Sequence, residues 1–203
     1  MTEENEVTAL VALISYWMKS SPFSFPKKID SALVKSILPV FITDYHREFP
    51  DELIDAENVA LSPTLQAILL YRLARHLHLA KSESDALRYS RLGRFLSGIE
   101  IYHSAEIGKG LQLVHGLGTV IGSRCTIGDN ATIYQGVTLG DRKGGRPIIG
   151  NNVVIFAGSM VLGELTVGAD VTVGANSVCM VDIPMGATAI GSPAKIIKSD
   201  IDA

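Results

Sequence analysis

Residues 149–174 read IGNNVVIFAGSMVLGELTVGADVTVG. An aliphatic residue returns at every sixth position, at Ile149, Ile155, Val161, Val167 and Val173, and the series runs on to Cys179 and Met185. Upstream, the same step links Ile121, Ile127, Ile133 and Leu139. Glycine often follows the aliphatic residue, as at Gly122, Gly128, Gly150 and Gly168, and a small or β-branched residue precedes it by two, as at Cys125, Ala131, Val153 and Ser177. Self-similarity at a short fixed period marks a solenoid rather than a layered fold. The period is read as one coil of six residues with two per side, giving a three-sided prism whose coils stack at about 4.8 Å. The recurring aliphatic residue fills the interior, and the small residues turn the corners.

Glycine divides the chain of 203 residues: of 19 glycines, all but Gly93 fall between Gly98 and Gly191. Glycine weakens helix interiors, so the first half is free to be helical while the second must turn often. Val7, Leu10, Val11, Ile14, Trp17 and Met18 recur at helical spacing. A second helix is expected from Asp30 through Leu33, Val34 and Ile37, with Pro39 ending or kinking it. Ser62-Pro63 reads as an N-cap with proline at the first helical position. A last helix from about Ser84 should turn Leu87, Leu92 and Phe95 inward. The fold class is therefore α+β, an α-helical domain over residues 1–97 followed by a parallel β-helix over residues 98–203.

A net charge of −3 without any basic run argues against nucleic acid or an anionic membrane as partner. No apolar stretch is long enough to span a bilayer, and Glu3, Glu4 and Glu6 give the wrong charge for a secretory leader. Cys125 and Cys179 match no metal-ligand spacing, so no metal is expected, and two isolated thiols suit a reducing cytoplasm.

A regular solenoid is scaffold, and chemistry belongs where it is interrupted. From Leu113 to Ile121 the step lengthens around Val114-His115-Gly116-Leu117-Gly118. From Leu139 to Ile149 it lengthens again, around Asp141-Arg142-Lys143-Gly144-Gly145-Arg146. Extra residues must leave the prism as loops. His115 in the first loop is a candidate general base, because histidine titrates near neutrality. An exposed loop histidine without a role fits the same residues. His46, His76, His78 and His103 carry no functional assignment.

Several strings resemble the serine acetyltransferase family of hexapeptide-repeat enzymes: Ala105-Glu106-Ile107-Gly108, His115-Gly116, Gln135-Gly136-Val137-Thr138-Leu139-Gly140 and Gly191-Ser192-Pro193-Ala194-Lys195. The resemblance implies a left-handed β-helix, acetyl-CoA as cosubstrate, and homotrimers that in some members pair through the helical domains. It places the family's catalytic histidine on His115 and that residue's acidic partner on Glu100. It puts contacts to the CoA arm on Gly140, Ala157, Ala175 and Lys195, and a carboxylate clamp for the acceptor on Arg146.

Departures lie in the acceptor pocket. The family's aspartate before the histidine, which holds the serine ammonium group, is Val114 here. Its Arg-His-Pro string reads Gly145-Arg146-Pro147, and no counterpart is found for its helical-domain aspartate, though Asp51 and Asp55 lie nearby. The expected activity is acetyl transfer to the hydroxyl of L-serine, as in cysteine biosynthesis. A sugar or another small alcohol is the alternative acceptor, and a non-catalytic β-helix the remote one. The family's partnership with the next enzyme of cysteine synthesis uses a tail ending in isoleucine, which Ser199–Ala203 does not match.

Overall fold

The structure is a computed structural model and describes residues 2–25 and 28–197, so the tail at residues 199–203 lies outside the described residues. Five helices come first: α1 (Glu3–Ser20), α2 (Ser31–Tyr45), α3 (Ala56–Leu61), α4 (Pro63–Leu79) and α5 (Glu83–Ser97). Asp30 caps α2, its carboxylate accepting from the Leu33 amide at 2.8 Å. The helix then continues through Pro39 to Tyr45, so proline does not end it. Its apolar face, Val34, Ile37, Leu38 and Phe41, is buried against the other helices, and that packing outweighs the missing backbone donor. Ser62 caps α4 as its sequence suggests, accepting from the Leu65 amide with Pro63 next in line. In α5 the inward face is Ala86, Tyr89, Leu92 and Gly93. Phe95, expected inside, is 54% exposed and meets Phe23 edge to face at 5.8 Å.

The second half is a three-sided parallel β-solenoid. One face stacks β1 (Glu100–Ile101), β4 (Val120–Ile121), β7 (Thr138–Gly140), β10 (Met160–Leu162) and β13 (Val178–Cys179). The second stacks β2 (Glu106–Ile107), β5 (Thr126–Ile127), β8 (Ile148–Ile149) and β11 (Thr166–Val167). The third stacks β3 (Gln112–Val114), β6 (Thr132–Tyr134), β9 (Val154–Ile155), β12 (Thr172–Val173) and β14 (Thr188–Ile190). The strand β15 (Lys195–Ile197) returns antiparallel beside β14.

Register corrects the size of a coil. Val120 lies opposite Thr138, and Ile121 opposite Leu139. Three six-residue units therefore make one coil, one unit per face, rather than one unit making a whole coil. A two-residue side would be too short to hold a strand and turn a corner, whereas six residues supply both. Within each unit the aliphatic residue points inward, and Ile121, Ile133, Leu139, Ile155, Val161, Val167 and Val173 are wholly buried.

The period fails once more, at the top. Met185 is 73% exposed, and Ile183 and Ala189 take the interior positions instead. Ile183 bridges to Val167, and Ala189 lies opposite Val173. A shortened side before Pro184 moves the interior position forward, which the six-residue count misses.

The helices sit on the first coil. Tyr71 Oη donates to the Ala105 carbonyl at 2.9 Å, and Arg72 donates to the carbonyls of Ile107 and Gly108 at 2.7 and 2.6 Å. Asp44 accepts from the Leu111 amide at 2.9 Å. Backbone groups that would otherwise end the stack unpaired are satisfied in this way.

Candidate active site

His115 follows β3, at the edge where the third face turns into the first. Its backbone has φ +60°, and Gly116 follows with φ +66°. The Gly116 amide donates to the Val114 carbonyl at 2.7 Å and the Leu117 amide to the His115 carbonyl at 2.8 Å. Two consecutive three-residue turns of the rare positive-φ kind result, a conformation that costs about 1–3 kcal/mol for a non-glycine residue. They extrude the extra residues and leave His115 exposed. Glycine is required next to it: a Cβ on Gly116 would lie 2.5 Å from Ile99 Cδ1 and 3.1 Å from Thr64 Cγ2. The N-terminus of α4 is thereby packed against the loop.

A cleft of about 630 Å³ opens between that loop and the helices. Beside His115 it is lined by Glu48, Asn58, Ser62, Thr64 and Gln112. Glu48 is the acid of this cleft. Its Oε2 accepts from the hydroxyls of Ser62 and Thr64, each at 3.1 Å. The segment carrying it is tied to the third face, where Arg47 donates to Gln112 Oε1 at 3.2 Å and Thr132 Oγ1 at 2.9 Å. Sequence reading looked to Asp51 and Asp55 and passed over Glu48. Asp55 instead caps α3, accepting from the Glu57 amide. The signal available was the run Arg47-Glu48 ahead of the capped α4, but only the fold shows which acid lines the cleft beside His115.

The other residues singled out fall on two separate edges of the prism. Ala157 and Ala175 lie on the same edge as His115, between β9 and β10 and between β12 and β13. Backbone bonds run up this edge, from Gly136 to Leu117 at 3.0 Å, Gly158 to Gln135 at 3.0 Å and Asn176 to Ala157 at 2.9 Å. Small residues recur at each level of this edge, Gly118, Gly136, Ala157 with Gly158, and Ala175, beside the larger Leu117, Gln135 and Asn176. A narrow chain such as a pantetheine arm can lie along it.

Gly140 and Arg146 belong to the next edge, between the first and second faces. Gly140 is buried at the base of the loop and accepts from the Gly163 amide at 3.1 Å. Arg146 Nε donates to the Ser123 carbonyl at 2.8 Å, and its guanidinium pairs with Asp141. Lys195 is exposed on β15.

Glu100 starts β1 and pairs with Arg94 at 2.8 Å. Among the described residues, no hydrogen bond or ion pair joins it to His115. The two cysteines are interior: burial pushes both the Cys125 and Cys179 thiols up to about 11, which removes them as acyl carriers. No helix among the described residues is long and apolar enough to cross a membrane.

Two family models match the solenoid, "Bacterial transferase hexapeptide (six repeats)" over residues 146–179 and "Hexapeptide repeat of succinyl-transferase" over residues 118–142. A solved serine acetyltransferase in complex with CoA superposes with a TM-score of 0.78 at 28% identity, covering 94% of this chain and 84% of its own. The serine acetyltransferase of Neisseria gonorrhoeae in complex with serine gives 0.78 at 27% identity, over 93% of this chain and 83% of its own. The serine acetyltransferase of Helicobacter pylori (strain ATCC 700392 / 26695) is 50% identical over 148 residues, which cover 71% of this chain and 86% of the relative. Helices seated on a hexapeptide solenoid, an extruded histidine and this degree of identity place the chain in the serine acetyltransferase family.

Proposed function

We propose that the chain transfers the acetyl group of acetyl-CoA to the hydroxyl of L-serine. The observation that carries this is His115, held out of the prism at one end of an edge with a small residue at every level and opening on a cleft with an acid of its own. A ring nitrogen of His115 takes the hydroxyl proton as the serine oxygen attacks the thioester carbon. The C–S bond then breaks, and the proton passes from the imidazole to the departing thiolate. Ala157 and Ala175 give the pantetheine arm room, with Lys195 available to its phosphates. Glu48 offers a carboxylate to the serine ammonium group, a role that Val114 cannot fill.

Glu100 is assigned the orientation of the imidazole. It would first have to exchange its contact with Arg94 for one with His115. Arg146 and Gly140 stand on a different edge from His115, so a second copy is proposed to bring them to the site, Arg146 to hold the acceptor carboxylate. This makes a homotrimer the working assembly, with residues 1–97 as its helical domain and 98–203 as its acyltransferase domain. The buried thiols fit a reducing cytoplasm.

Val114 favours a second reading, in which the acceptor is a sugar or another alcohol without an ammonium group. Thiol release from acetyl-CoA, measured with L-serine against a panel of amino sugars and simple alcohols, separates the two. Turnover confined to L-serine supports the first, and turnover confined to a sugar overturns it. Mixing inactive His115→Ala and Arg146→Ala chains tests the shared site: mixed assemblies regain activity, whereas a site within one chain predicts none.

A further inference from the structure

We propose that His78, Glu83 and His103 bind a divalent transition ion of the zinc class, which fastens the turn between α4 and α5 to the first coil of the solenoid. His78 lies in the last turn of α4, Glu83 opens α5, and His103 sits in the corner between β1 and β2. Ligand atoms from all three lie within 4.8 Å of one another. His103 Nε2 is 3.2 Å from Glu83 Oε2, and His78 Nδ1 is 2.5 Å from Glu83 Oε1. Zinc bonds of about 2.0–2.2 Å in tetrahedral array separate ligands by roughly 3.3 Å, so the three donors need only small adjustments.

Hydrogen bonding alone leaves this cluster unsatisfied. His78 Nδ1 is a buried atom that lies against Glu83 Oε1 at 2.5 Å without forming a regular hydrogen bond. A buried nitrogen without a hydrogen bond is costly, and a cation bound by His78 Nδ1 removes that cost, while His103 faces the cluster through Nε2. His103 is 5% exposed, and Tyr102 stacks on its ring at 4.5 Å, fixing its plane. Glu83 is half open to solvent, with 58% of its side chain exposed, which leaves room for water as a further ligand. Two imidazoles and one carboxylate suit zinc or cobalt better than magnesium or calcium, which prefer oxygen donors. The site joins the α4–α5 turn to the first coil, and the role proposed for it is mechanical rather than chemical.

The test uses the full chain, freed of purification tags and chelator-treated, with zinc and cobalt salts as probes. We expect one ion per chain by calorimetry, visible cobalt bands of four- or five-coordinate intensity, and a melting temperature that rises to a plateau with zinc. Glu83→Gln, His78→Gln and His103→Gln each weaken binding about tenfold or more, while His115→Ala leaves it unchanged. The exposed Glu83 and half-buried His78 keep the test decisive where His103→Gln impairs folding. Binding no tighter than in the Glu83→Gln and His78→Gln chains, or a melting temperature indifferent to zinc, overturns the proposal.

Discussion

Arg72 grips Asp44 through two parallel contacts, Nε to Oδ2 at 2.8 Å and Nη2 to Oδ1 at 3.0 Å, with both side chains almost wholly buried. The same guanidinium reaches the carbonyls of Ile107 and Gly108, and the same carboxylate accepts from Leu111. One ion pair thus joins α2, α4 and the first coil of the solenoid.

Removing one member strands the other. Asp44→Ala leaves a buried guanidinium without its counter-charge, and a loss of about 3–5 kcal/mol is expected from urea unfolding curves. An apolar replacement of both Asp44 and Arg72 should cost less than the single change, because no charge is then left buried alone.

His115→Ala should lower kcat by about 10²–10⁴-fold with the melting temperature little altered, since the side chain is exposed and bears no packing load. Steady-state kinetics on the variant decide this. Turnover near that of the parent chain removes His115 from the mechanism.

Glu48→Gln should raise KM for L-serine while leaving KM for acetyl-CoA nearly constant. The amide keeps the shape and can still accept from Ser62 and Thr64, so a change confined to the acceptor reads charge rather than folding. Equal effects on both substrates would count against an ammonium contact.

The thiols of Cys125 and Cys179, with pKa values raised by burial from 9.0 to about 11, make a prediction about alkaline pH. The folded chain holds these protons more tightly than the unfolded one. Their contribution to stability is therefore complete below pH 9 and lost as pH rises toward 11. Stability measured across that window should fall less steeply in Cys125→Ala than in the parent chain. At pH 8 the native protein should resist alkylation at both thiols, which become reactive on unfolding.

Periodicity made the solenoid legible because a repeating interior writes itself into the sequence at every turn. The size of a coil was not legible. A six-residue period is the same whether it spans one face or three, and only the pairing of Val120 with Thr138 decides. Met185 and Phe95 misled for a related reason: a position continues a pattern on paper after the backbone has cut a corner or rotated a helix. His115 could be found by the break in the period. Glu48 could not, because nothing local distinguishes it from other acids near α3 until α4 packs against Gly116. The separation of His115 and Arg146 onto two edges was equally hidden, since loops far apart in sequence can meet or diverge depending on which corner they leave.

Strand β15 runs against the direction of all the others and lies along β14, while helices cover the opposite end. A parallel solenoid without such stoppers presents a raw strand at top and bottom, and another solenoid could add there indefinitely. With a strand of reversed polarity on the third face at one end and helices at the other, in-register addition of another solenoid along the axis is disfavoured. The proposed homotrimer would accordingly be built through the flanks of the prism rather than its ends.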